Sequence, residues 1–161
     1  MLRFVKKLKS TTVGGRFAIV ASKFNGRYVN SMLQAARAEL ERARVEQVRV
    51  FRVPGAFEIP VVAARLASLP PPAFAAILCL GVIFRGETAH AQHIGEAVSQ
   101  TLARLQAEYK IPMIHGVYLF ENQEQARVRC LDKNHNRGLE LAQTALEMAR
   151  VMKSVDDWEK R

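Results

Sequence analysis

Ala75-Ala-Ile-Leu-Cys-Leu80 runs directly into Gly81-Val-Ile-Phe-Arg-Gly-Glu-Thr-Ala-His90. The first six residues are continuously apolar rather than alternating, the pattern of a strand buried on both faces of a parallel sheet. The ten that follow therefore leave a strand's carboxyl end. In open α/β sheets that edge gathers loops and helix N-termini with unpaired backbone N–H groups, and ligands bind there. Gly86 lets the backbone approach a bound group, Thr88 can cap the next helix or hold an oxygen, and His90 falls in the first helical turn. An anion pocket beside a proton carrier is one reading. Taken alone, the same residues also read as an ordinary capped helix start with a packed or surface histidine.

Working outward, Arg16-Phe-Ala-Ile-Val-Ala-Ser22 is expected to form a first strand. Val29, Met32, Leu33, Ala36, Leu40 and Ala43 recur at three and four and predict a helix. Gln47 to Val53 gives a second strand, stopped by Pro54-Gly55, and Ile59, Val62, Ala63 and Leu66 mark the helix after it. Pro70-Pro71-Pro72 ends that unit. The third strand, 75 to 82, feeds a helix through Ile94, Val98, Leu102, Leu105 and Tyr109, and Pro112 to Leu119 supplies a fourth strand. Asn122 can cap a short helix. A polar turn from Asp132 to Gly138 precedes a last helix through Leu139, Ala142, Leu146, Ala149 and Met152.

Strands alternating with helices imply right-handed crossovers and a parallel sheet. The expected fold is α/β, a flavodoxin-like three-layer sandwich around four parallel strands. One folded unit, 16–154, is expected between a basic N-terminal tail, 1–15, and a charged C-terminal tail, 155–161, in which Trp158 either packs or stands free.

With 161 residues, 49% of them apolar and 24% charged, the chain can bury a sizeable core as one domain. No apolar run reaches a membrane span, and the start lacks the long apolar centre of a signal peptide, so a cytoplasmic protein is expected. Cys79 and Cys130 show neither a zinc-ligand spacing nor a redox pair. The net charge of +9 owes much to Arg3, Lys6, Lys7, Lys9 and Arg16, which precede any acidic residue. A basic tail on a nearly balanced body, without interleaved aromatics, does not make a nucleic-acid surface. Small anionic substrates suit the charge.

The four strand ends carry Lys23-Phe24-Asn25, Val53-Pro-Gly-Ala-Phe-Glu-Ile-Pro60, the loop to His90, and Phe120-Glu-Asn122. Phe24 and Phe57 can clamp a flat ring, Asn25 can read its polar edge, and Glu58 can accept bonds from hydroxyls. Each also has a plainer role: the two phenylalanines as core, Asn25 as a helix cap, Glu58 as an acid complementing a helix dipole. Gathered at the ends of adjacent strands, they outline a heterocycle pocket beside an anion pocket.

These residues resemble the lumazine synthase family. The resemblance rests on Phe24-Asn25, Val53 to Pro60, Gly81 to His90, Glu124-Gln-Ala126 with Arg129, and Asn136-x-Gly138 before Ala-Leu-Glu-Met148, in the family's order. It implies a transferase that condenses 5-amino-6-ribitylaminouracil with 3,4-dihydroxy-2-butanone 4-phosphate in riboflavin biosynthesis, using no cofactor and no metal. By the resemblance, Phe24 stacks on the pyrimidine, and Asn25 with the backbone of Ile83 and Phe84 reads its edge. Ala56, Phe57 and Glu58 line the ribityl chain. Gly86, Glu87 and Thr88 hold the phosphate with Arg129, and His90 is the acid/base. The resemblance further implies pentamers, alone or stacked into shells, with His115, Arg129 and Arg137 serving an adjacent subunit's pocket, and riboflavin synthase as a protein partner.

Some positions depart from the family's usual pattern. Lys23 stands for a common Arg, Ala91-Gln92-His93 for Phe-Asp-Tyr, His115 for a frequent Phe, Arg137 for a frequent Lys, and His135 for a frequent Gly. Arg and Lys are not interchangeable at a close contact. Two other readings follow from the same features: a flavodoxin-like binder of a nucleotide or flavin, and a noncatalytic shell that carries a flavin or lumazine.

Overall fold

In the computed structural model, which describes residues 14–70 and 73–161, β1 (Arg16–Ser22), β2 (Gln47–Val53), β3 (Ala76–Phe84) and β4 (Met113–Phe120) form one sheet in the order β2-β1-β3-β4. Every neighbouring pair is parallel. The expected four-stranded α/β sandwich is the fold observed. The chain steps from β1 outward to β2, then crosses back to place β3 on β1's other side. The strand order therefore reverses between β1 and β3, and in sheets of this kind ligands bind outside the carboxyl ends at that switch point.

Helices α1 (Gly26–Arg42), α4 (Gln123–Cys130) and α5 (Arg137–Glu159) cover one face, and α2 (Ile59–Ala67) and α3 (His90–Tyr109) the other. Alternate residues of β3 feed the two cores. Leu78, Leu80 and Val82 pack with Met32, Leu40 and Leu146, whereas Ile77 and Cys79 pack with Ile59, Val98 and Leu102. A strand covered on both faces has no polar side to keep, which is why its sequence does not alternate.

The helices also explain the differences from expectation. β3 runs on to Phe84 because Ile83 and Phe84 pair with Leu119 and Phe120 of β4. A single 3-10 turn, Ala56–Glu58, precedes α2. The expected polar turn ends early, since Asn136 accepts a bond from Gly138 N at 2.9 Å and starts α5 at Arg137. Within the expected charged C-terminal tail, Val155 to Glu159 continue α5, helped by an i,i+4 pair between Lys153 and Asp157 at 2.7 Å. Trp158 is 77% exposed and stands free of the core. The basic N-terminal tail falls on residues 1–13, which with Pro71 and Pro72 lie outside the described residues.

Two close approaches fix the packing of α1 against α5. A Cβ on Gly138 would fall 2.0 Å from the Met32 carbonyl oxygen, so only glycine lets the helices meet there. Asn136, buried, donates to Cys130 O at 2.7 Å and to Ser31 Oγ at 3.1 Å, and Ser31 donates to the same carbonyl. Among the described residues no helix is long and apolar enough to cross a membrane.

Candidate functional site

Four backbone bonds close the strand ends into a rim. Lys23 N donates to Val53 O and Pro54 O, Phe24 N to Pro54 O at 3.0 Å, and Arg85 N to Phe120 O at 2.9 Å. Asn25 stands at φ 56°, in the left-handed region that asparagine tolerates better than most residues. It precedes α1, but its side chain makes no capping bond. Instead Nδ2 donates to Val82 O at 2.7 Å, across the switch point. With its carboxamide nitrogen held on β3, Asn25 keeps its Oδ1 as an acceptor.

Phe24 is 66% exposed and Phe57 61%, so neither is a core residue. A Cβ on Gly55 would lie 2.9 Å from Phe24 Cδ2 and 3.0 Å from Glu58 Oε2; the Phe24 ring thus rests on a position with no room for a side chain. The three-residue period of the 3-10 turn sends its side chains in different directions. Ala56 turns inward over Gly81, Glu58 folds back so that Oε2 accepts from Gly55 N at 2.9 Å, and Phe57 faces outward. Phe57 borders a groove of about 390 Å³ between α2 and α3, with Val61, Thr101 and Arg104. Phe24 and Phe57 both lie exposed at the strand ends, after β1 and after β2.

The loop after β3 is exposed from Arg85 to His90. A side chain added at Gly86 would meet no protein atom within 4 Å, so the protein's own packing gives no reason for glycine there. The backbone N–H groups of Gly86, Glu87, Thr88 and Ala89 take no protein acceptor among the described residues. Thr88 does not occupy the N-cap position, which Ala89 holds; its Oγ1 accepts a long bond, 3.4 Å, from His90 N. Arg85 is occupied elsewhere, its Nε lying 3.2 Å from Glu121 Oε1. Four free donors before a helix N-terminus are groups that could hold an anion, on the side of the helix dipole that favours one.

Of the two β3 residues expected near the pyrimidine edge, Ile83 packs toward α3 and Phe84 toward α1, edge-on to Tyr28 at 5.5 Å between centroids. Their backbone lies on the rim; their side chains support it.

His115, Arg129 and Arg137 form a second group. They line a groove of about 520 Å³ along the open edge of β4, with Tyr118, Glu140 and Met148. Arg137 pairs with Glu140. Arg129 is half-buried and has no carboxylate partner among the described residues. Burial pushes the Tyr118 hydroxyl up to about 12, against the opposing pull of Arg137 and Arg129, so it stays protonated as a donor. No hydrogen bond or ion pair joins this group to Phe24, Phe57 or His90 among the described residues.

Two features had no signal in the sequence: the left-handed turn at Asn25, and Ser99, whose Oγ lies 2.8 Å from His115 Nε2. Sixteen positions of chain separate that pair, and no motif joins them.

A free-amide loop, a histidine and an exposed aromatic sit at the strand ends of a parallel α/β sheet, the edge at which such proteins bind ligands. Comparison with known proteins gives the same class a family. The family model for 6,7-dimethyl-8-ribityllumazine synthase matches residues 14–153, and the chain belongs to that family. It is 40% identical over 149 residues to the 6,7-dimethyl-8-ribityllumazine synthase of Aquifex aeolicus, covering 91% of this chain and 96% of that one. It is 38% identical over 144 residues to that of Pyrococcus furiosus, covering 89% of each. With that of Stenotrophomonas maltophilia (strain R551-3) it shares 37% over 147 residues, 90% of this chain and 94% of the other.

Proposed function

We propose that this chain condenses 5-amino-6-ribitylaminouracil with 3,4-dihydroxy-2-butanone 4-phosphate to 6,7-dimethyl-8-ribityllumazine, a transferase step of riboflavin biosynthesis. The observation that carries the reading is the set of free amide N–H groups from Gly86 to Ala89 beside His90, across the switch point from Phe24. Those amides take the phosphate. The Glu87 carboxylate would repel an anion, so that residue serves through its backbone. Phe24 stacks on the pyrimidine, Asn25 Oδ1 and the backbone of Ile83 and Phe84 read its edge, and Ala56, Phe57 and Glu58 border the ribityl chain.

The chemistry needs an amine to attack a ketone, loss of phosphate, and ring closure with loss of water. Each step moves a proton between held reactants, and His90, at the first turn of α3, is placed to carry it. Holding two substrates in register supplies roughly 7 to 11 kcal/mol of a barrier, more than one acid/base does, so positioning dominates.

The separation of Arg129, Arg137 and His115 from the His90 loop supports a pocket completed between copies, with the β4 groove of one chain meeting the rim of the next in a pentamer or a multiple of it. The unpaired Arg129 then meets the phosphate. Free thiols at Cys79 and Cys130 suit a reducing compartment, the cytoplasm, where riboflavin synthase would take up the product. Mixing both substrates with the purified chain tests the reading: phosphate and the lumazine should appear together, and release of neither would overturn it.

A further inference from the structure

Ser99 Oγ, on α3, donates to Gly95 O at 2.7 Å and lies 2.8 Å from His115 Nε2 on β4. A carbonyl oxygen only accepts, and a serine hydroxyl has a single hydrogen. With that hydrogen on Gly95, Ser99 Oγ can only accept from the ring, so Nε2 carries the proton. In that tautomer Nδ1 is the ring's acceptor, and it takes no protein donor among the described residues.

The surroundings give that acceptor a use. His115 is exposed on an edge strand and lines the β4 groove, where Arg129, Arg137 and the protonated Tyr118 are all donors. The one carboxylate lining that groove, Glu140, is committed to Arg137. A ligand group that enters with an N–H or O–H can therefore be met by Nδ1, an acceptor with no protein donor of its own among the described residues.

We propose that Ser99 is a positioning residue that holds His115 in the Nε2–H tautomer and in one ring orientation, so that Nδ1 accepts from an N–H or O–H of the polyhydroxylated pyrimidine bound in the adjoining copy. This rests on the proposed function for its substrate, but not for its tautomer. A bond that merely tied α3 to β4 would leave substrate discrimination untouched.

The test has two readouts on the intact assembly. Nitrogen-15 spectra of labelled histidine, with the His115→Phe spectrum assigning the signal, should show the Nε2–H tautomer in the parent and a tautomer mixture in Ser99→Ala. A parent His115 in the Nδ1–H form, or a tautomer indifferent to Ser99→Ala, would overturn the lock. In steady-state kinetics Ser99→Ala and His115→Phe should each raise KM for the pyrimidine about five-fold, as one hydrogen bond contributes, with KM for the butanone phosphate unmoved and Ser99→Thr restoring the parent value. An unchanged pyrimidine KM in both variants would overturn the contact. A parent chain without turnover would overturn the proposed function alone, since the tautomer is read without substrate.

Discussion

Asn25 Nδ2 donates to Val82 O over 2.7 Å, so the turn after β1 is held to β3 across the point where the strand order reverses. The same residue bends the chain into α1 at φ 56°. One side chain thus sets the rim's shape in two ways, and the two separate by substitution.

Asn25→Ala loses the bond and pays the left-handed strain of a residue with a Cβ, whereas Asn25→Gly loses the bond alone. We expect a stability loss of about 2 kcal/mol for the alanine variant and about 1 kcal/mol for the glycine variant. Urea denaturation of both checks this; a glycine variant as unstable as the alanine one would show that backbone strain is not at issue.

His90→Ala should slow turnover, by up to about 100-fold, while pyrimidine binding holds, because His90 stands at the start of α3, after β3, whereas Phe24 stands on the turn after β1. Single-turnover rates and a pyrimidine titration measure the two separately. A rate equal to the parent's removes His90 from the chemistry.

Arg129→Ala should raise KM for the butanone phosphate about ten-fold or more, the contribution of a charge-assisted bond to phosphate, with a much smaller change for the pyrimidine. Equal losses for both substrates contradict the assignment of Arg129 to the phosphate.

If the β4 groove of one chain completes the rim of another, His90→Ala and Arg129→Ala chains unfolded together and refolded in equal amounts should regain activity. Random pairing restores about a quarter of the sites. Activity no higher than the sum of the two variants alone would place each site within a single chain.

Burial pushes the thiols of Cys79 and Cys130 up to about 12 from an ordinary value of 9.0. A group that holds its proton more tightly when folded adds stability that is fully present below about pH 9 and is lost as pH rises toward 12. Denaturation midpoints should therefore fall between pH 8 and pH 10.5, less steeply in Cys79→Ala. A thiol reagent at pH 8 should modify neither cysteine until the chain is unfolded, and rapid native reaction would contradict the burial.

The apolar runs made the sheet legible: β1 and β2 have the bounds read from the sequence, because each run stops at a polar or Pro-Gly boundary. The end of β3 was not legible, since Ile83 and Phe84 become strand only through Leu119 and Phe120, a pairing no local pattern announces. The C-terminal helix was cut short for a related reason. After Ala149 the apolar period no longer meets a core, and only charge pairs such as Lys153 with Asp157 continue the turns. Of the candidate site, the residue types at the strand ends were readable from motif and position. Their division into two groups was not, because Arg129 reaches the β4 groove by way of α4, and only the tertiary fold sets that groove apart from His90.

Helix α5 begins where a Cβ on its second residue, Gly138, would strike the Met32 carbonyl, and ends in two turns that touch nothing of the core. Tolerance of substitution should accordingly change along a single element, from almost none at Gly138 to broad tolerance beyond Met152. The helix places its constrained start at the groove, beside Arg137, and its permissive end about 30 Å further along its axis. Sequence drift, or a peptide fused after Arg161, would therefore be tolerated best in those last turns.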